Sequence, residues 1–166
     1  MSQITRLADN EVFVFGSNST GFHGAGSAGL ACRGDAKNTW RADEWFLNAM
    51  KAPIGSPNRI GKWAVYGMAR GYQVGKEGRS YAIETIKRPG MRRTTSLAVI
   101  EEQLKQMFEF AKKNPNLRFL MTPIGAGYAG YTDAEMRGVW DRIKSGAPAN
   151  VVVPSDLYQE SKVEQT

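Results

Sequence analysis

The chain has 166 residues, enough for one domain of ordinary size whose core needs no disulfide or metal to hold it. Hydrophobic residues make up 42% and charged residues 23%, which excludes a disordered chain, and no apolar run approaches the roughly 18 residues of a membrane span. A net charge of +6 favours anionic partners without choosing between a nucleotide and a nucleic acid.

Residues 11–15 (Glu-Val-Phe-Val-Phe) form a short apolar run that stops at Gly16 and predicts a buried strand. Gly16, Gly21, Gly24, Gly26 and Gly29 follow, leading into small apolar residues suited to a helix packed closely on a sheet. From 33 to 62 the chain is polar and irregular, with one short helix expected around 42–51. Residues 63–68 and 79–86 are predicted strands, separated by a glycine-studded turn at 71–78. Lys87, Arg88, Arg92 and Arg93 stand in an expected exposed loop, which could cover a ligand, meet a nucleic-acid backbone or be simply solvated.

Leu97, Ile100, Leu104, Met107, Phe108 and Ala111 recur at helical spacing and predict a helix that Asn114 and Pro115 end. Residues 118–124 read as a buried strand, with Pro123 near its end because proline cannot complete a ladder. Thr132 and Glu135 have the spacing of a capping box, opening a helix with Met136, Val139, Trp140 and Ile143 on one face and Gly146 past its end. A last strand is expected at 150–153. Residues 1–157 thus read as one domain and 158–166 as a loose tail. Alternating strands and helices imply an α/β fold with a mixed, largely parallel sheet.

Two segments carry the chemistry. Residues 16–29 and 124–131 are both glycine-rich and both lie between a strand and a helix. Glycines let backbone N–H groups turn toward an anion, and the helix N-terminus adds partial positive charge. The first segment is not a Walker loop, since no Gly-Lys-Ser/Thr follows, nor a convincing dinucleotide fingerprint of the Rossmann kind. Two such loops could hold a diphosphate between them, with Tyr128 and Tyr131 lining a ribose or base pocket; the alternative is that the glycines serve tight turns and close packing.

The run Phe13-Val14-Phe15-Gly16-Ser17-Asn18, with Gly24-Ala25-Gly26 downstream, resembles the macro-domain pattern of a strand, an asparagine-bearing turn and a glycine loop. Ile124-Gly125-Ala126-Gly127-Tyr128-Ala129-Gly130-Tyr131 resembles that family's other phosphate loop, and Ser80–Thr85 its central strand. The Gly-Ser-Asn and His-Gly-Ala-Gly signatures are similar to a phage-associated bacterial branch of the family. The resemblance implies a three-layer fold with helices on both faces of the sheet, and a site for ADP-ribose or a related nucleotide, including cyclic or modified forms. Carried over by position, the ligand-binding residues are Gln3, Asn18, Gly24, Ala25, Gly26, Ser27, Gly125, Ala126, Gly127, Tyr128 and Tyr131. Asn18 corresponds to the residue at the distal ribose and the glycines to the phosphate contacts. Gln3 stands where the family has an acid that binds the adenine amino group, and its amide can still present donors and an acceptor to a base.

Ala28 occupies the position of the aspartate thought to help activate water in hydrolases that remove mono-ADP-ribose. Hydrolysis of an ADP-ribosyl bond or a terminal phosphate is therefore an alternative that would rest on His23 or a loop carboxylate (Asp35, Asp43 or Glu44). His23, the one histidine, could act as a general acid or base, bind phosphate as a cation, or do neither. A basic nucleic-acid-binding accessory protein is the remaining alternative. With one cysteine, Cys32, and one histidine, no familiar zinc site can form, no cofactor is implied, and the expected setting is cytoplasmic.

Overall fold

In the computed structural model, the residues described are 4, 6–21, 26–34, 44–87, 92–122, 124 and 130–152. A five-stranded sheet forms the middle layer: β1 (Glu11–Asn18), β2 (Gly71–Val74), β3 (Arg79–Ile86), β4 (Arg118–Met121) and β5 (Val151–Val152), in the order β2-β3-β1-β4-β5. All neighbours pair parallel except β2, which runs antiparallel to β3 along the edge. The helices are α1 (Gly26–Arg33), α2 (Glu44–Lys51), α3 (Leu97–Lys113) and α4 (Asp133–Ile143).

Strand β1 is the centre of the sheet and is covered on both faces, which explains its unbroken apolar run. Val12 and Val14 point into one core with Ile83, Phe119 and Met121 and the buried stripes of α3 and α4. Phe13 and Phe15 point into the other with Ala28, Ala31 and Cys32 of α1, and with Trp63. Helix α3 starts at Ser96, whose hydroxyl accepts from the Val99 amide at 3.2 Å. Helix α4 has the predicted capping box, with Thr132 and Glu135 satisfying each other's backbone amides at 3.0 and 2.9 Å. Thr132→Ala should therefore lower stability by about 1 kcal/mol, measurable as a fall of a few degrees in the thermal midpoint.

The predicted strand at 63–68 does not form, and the strand of this region is β2, inside the stretch expected to be a turn. Trp63 and Ala64 are fully buried, but their amides do not enter a ladder: both donate to the Ala31 carbonyl, at 2.7 and 3.0 Å, while the Lys62 amide donates to Cys32 at 2.9 Å. This segment satisfies the last carbonyls of α1. A Cβ on Gly61 would lie 2.1 Å from the Cys32 carbonyl oxygen, so only glycine permits the approach.

Candidate functional site

Strands β1 and β4 are parallel neighbours, with Val14 opposite Met121. Just beyond that pair, the backbone amide and hydroxyl of Thr122 both donate to the Val14 carbonyl, at 3.2 and 2.7 Å. The two chains then leave the same carboxyl edge side by side: a Cβ on Gly16 would lie 3.9 Å from that of Ile124. The helices that follow go to opposite faces, α1 to the Phe13 side and α4 to the Val12 side. In open α/β sheets, ligands usually sit beyond the strand ends where such a divergence occurs. Gly26 and Ser27 form the first residues of α1 at this edge. Ala28 is buried in the core between α1 and the sheet.

Strand β1 runs three residues past its predicted end, through a register shift at Ser17/Asn18. Asn18 is buried, and its side-chain oxygen accepts from the Thr20 amide at 3.1 Å and from the Thr20 hydroxyl. The Gly21 amide closes the turn on the Asn18 carbonyl at 3.0 Å. Turn 17–20 is therefore rigidly set where the first glycine segment begins.

Beside that turn stands a group the sequence reading missed. Glu84, on β3, is buried, and its carboxylate accepts from Arg70 Nε (3.1 Å), Lys87 Nζ (3.2 Å), the Thr95 hydroxyl (3.3 Å) and the Ser19 side chain. Burial pushes its pKa up, but the hydrogen bonds from Arg70, Ser19 and Lys87 outweigh it and hold the carboxyl below its ordinary value. The available signal was an acid inside the apolar run Tyr-Ala-Ile-Glu-Thr-Ile, where a buried carboxylate requires partners.

At the far end of the second glycine segment, Tyr131 is buried, and its hydroxyl donates to the Thr95 carbonyl at 2.5 Å. Arg93 lies 5.0 Å above the Tyr131 ring and bonds both carboxylate oxygens of Glu135, at 2.9 and 2.7 Å. This guanidinium, with the Thr132 amide, pulls the Glu135 pKa down to about 2. Arg92 packs its side chain against Gly130. The ends of the basic segment therefore dock on the carboxyl edge, Lys87 at Glu84 and Arg93 at the start of α4. Gln3, His23, Gly24, Ala25, Gly125, Ala126, Gly127 and Tyr128 lie outside the described residues, as do Arg88, Asp35 and Asp43. Glu44 is exposed at the start of α2, and Cys32 is buried in α1. Among the described residues, no three His, Cys, Asp or Glu side chains are placed to hold a metal ion, and no helix is long and apolar enough to cross a membrane.

The sheet order, the antiparallel edge strand and the helices on both faces define a three-layer α/β domain of macro-domain-like fold. Among solved structures, it is similar to the macrodomain of Mycobacterium tuberculosis DarG, with a TM-score of 0.50 and 19% identity over 88% of this chain and 86% of that one. At that identity the likeness describes the fold. No family model matches the chain, and no curated protein does.

Proposed function

We propose that the chain binds ADP-ribose or a closely related nucleotide, with the diphosphate between the two glycine segments that leave β1 and β4. The observation that carries this reading is the divergence at the carboxyl edge: adjacent parallel strands whose following helices take opposite faces, each strand ending in a glycine-rich stretch. The macro-domain-like fold supports it. In this reading, backbone amides from Gly24 to Ser27 and from Gly125 to Tyr128 surround the phosphates, and α1 adds the positive end of its dipole. Asn18 is assigned to the distal ribose, Tyr131 to the end of the second segment beside the ligand, and Gln3 to the base.

Titration calorimetry with ADP-ribose, paired with amide hydrogen exchange, tests the assignment. The expected outcome is saturable heat, with protection gained in 16–34 and 124–132. No heat at ligand concentrations up to about 1 mM, where even a weak site of about −4 kcal/mol half-fills, would refute it. Protection confined to α3 would refute the location.

A further inference from the structure

On the side of β1 away from β4, two cations stand on one buried carboxylate. The Arg70 and Lys87 side chains are 49% and 52% exposed, while the Glu84 side chain they share is 6% exposed. Each cation sits next to a residue bonded to the 17–20 turn: the Ser17 hydroxyl donates to the Ala69 carbonyl, and the Ser19 amide donates to the Ile86 carbonyl at 3.0 Å. Glu84 is itself fixed from behind, because Gln103 bonds its backbone amide at 2.7 Å and its carbonyl at 2.8 Å. The positions of both cations are thus set by the same elements that set Asn18.

The charges do not cancel. One carboxylate faces two cations, and a single cation would neutralise it. Arg70 commits only its Nε–H to Glu84 and Lys87 one of its ammonium hydrogens, so the guanidinium's terminal N–H groups and the rest of the ammonium have no other partner among the described residues. Glu84, held ionised by several donors, serves poorly as a base and well as a mount. A planar guanidinium fork beside an ammonium point charge suits a phosphoryl group, which accepts from both.

We propose that Arg70 and Lys87, mounted on Glu84 against the Ser17–Thr20 turn, receive a phosphoryl group of the bound nucleotide on the β3 side of the first glycine segment. The pair deepens the nucleotide reading and rests on it for the identity of the ligand. Its own test does not need the nucleotide.

The full chain, isotopically labelled, is titrated with inorganic phosphate, with ADP-ribose and with a single-stranded oligonucleotide, against sodium chloride at matched ionic strength. Phosphate should shift the Arg70 Nε–H and the Ser19 and Lys87 amides in a saturable way that chloride does not reproduce. The double variant Arg70→Gln/Lys87→Gln should lose those shifts and bind ADP-ribose about tenfold more weakly, the scale of one charge-assisted contact. If that variant fails to fold, Lys87→Gln alone, which leaves the Arg70–Glu84 pair in place, carries the comparison. Shifts equal to those from chloride, or unchanged ADP-ribose affinity in the variant, would overturn the pair while leaving the nucleotide reading intact. A loss of affinity seen with the oligonucleotide alone would overturn it in favour of nucleic acid. Failure of the wild-type chain to bind ADP-ribose at all would strike the nucleotide reading and the ligand assigned to the pair together.

Discussion

Gly21→Ala should lower the thermal midpoint by roughly 10 °C, the larger of two effects expected from single substitutions near the site. Gly21 has φ +69°, in the left-handed region, and a Cβ there would lie 2.3 Å from the backbone carbon of Gly67. The first term costs about 1–2 kcal/mol and the overlap another 1–3, because it falls on main chain that no side-chain rotation can relieve. Gly67 cannot yield easily: its amide donates to the Gly21 carbonyl at 3.0 Å, and Arg59 crosses the space beside it. Gly55→Ala is the matched control, since Gly55 has φ +89° with nothing within 4 Å of the added atom. It should lose only the conformational part, about 1–2 kcal/mol, or a few degrees. Equal midpoints for the two variants would show that the Gly21–Gly67 approach carries no stability. That approach ties the segment leaving Asn18 to the segment carrying Arg70, so the Gly21 variant should also weaken any ligand that both recognise.

The elements the sequence made legible are those whose burial follows one clean period. Helix α3 buries Ile100, Leu104, Met107, Phe108 and Ala111 along one stripe, and α4 carries both halves of its capping box within four residues. Strand β1 was legible through its apolar run, but its extension to Asn18 was not, because Gly16 looks like a stop. In the fold, Gly16 stays in the strand and lets Thr85 of β3 come close, its hydroxyl 3.3 Å from where a Cβ would be. The 63–68 segment misled for the opposite reason. Its apolar residues are core, yet burial there comes from capping α1 rather than from pairing. Strand β2 hid behind Gly71 and Gly75 and behind Gln73, a polar residue that is nonetheless buried. Gln73 spends its side chain on the irregular loop before it, accepting from the Val65 amide and donating to the Met68 carbonyl, both at 2.8 Å. Such a role depends on where a distant loop passes, which periodicity does not encode. The candidate site is read from two glycine segments and an asparagine, several of whose positions lie outside the described residues. Glu84 was not legible, since its partners Ser19, Arg70, Lys87 and Thr95 come from four separate stretches of chain.

Glu84→Gln should cost about 2 kcal/mol near pH 7, and the cost should vanish in acid. The amide keeps the shape of the carboxylate and leaves the Gln103 bonds to the backbone undisturbed. It removes the charge, however, and turns an NH₂ group toward a site where every neighbour donates. Arg70 and Lys87 can retreat into water, which keeps the loss below the 3–5 kcal/mol of a fully buried broken pair. The folded-state pKa of Glu84 lies below its ordinary value of 4.5, so ionisation stabilises the fold above that value and the benefit disappears as pH falls through the folded-state pKa. Thermal melts of the wild type and the variant should therefore differ by roughly 4–8 °C near pH 7 and converge as the pH is lowered below about 4. A gap that stays constant across that range would mean that shape, and not charge, is what this position contributes. The cations would then be held by something other than the carboxylate beneath them.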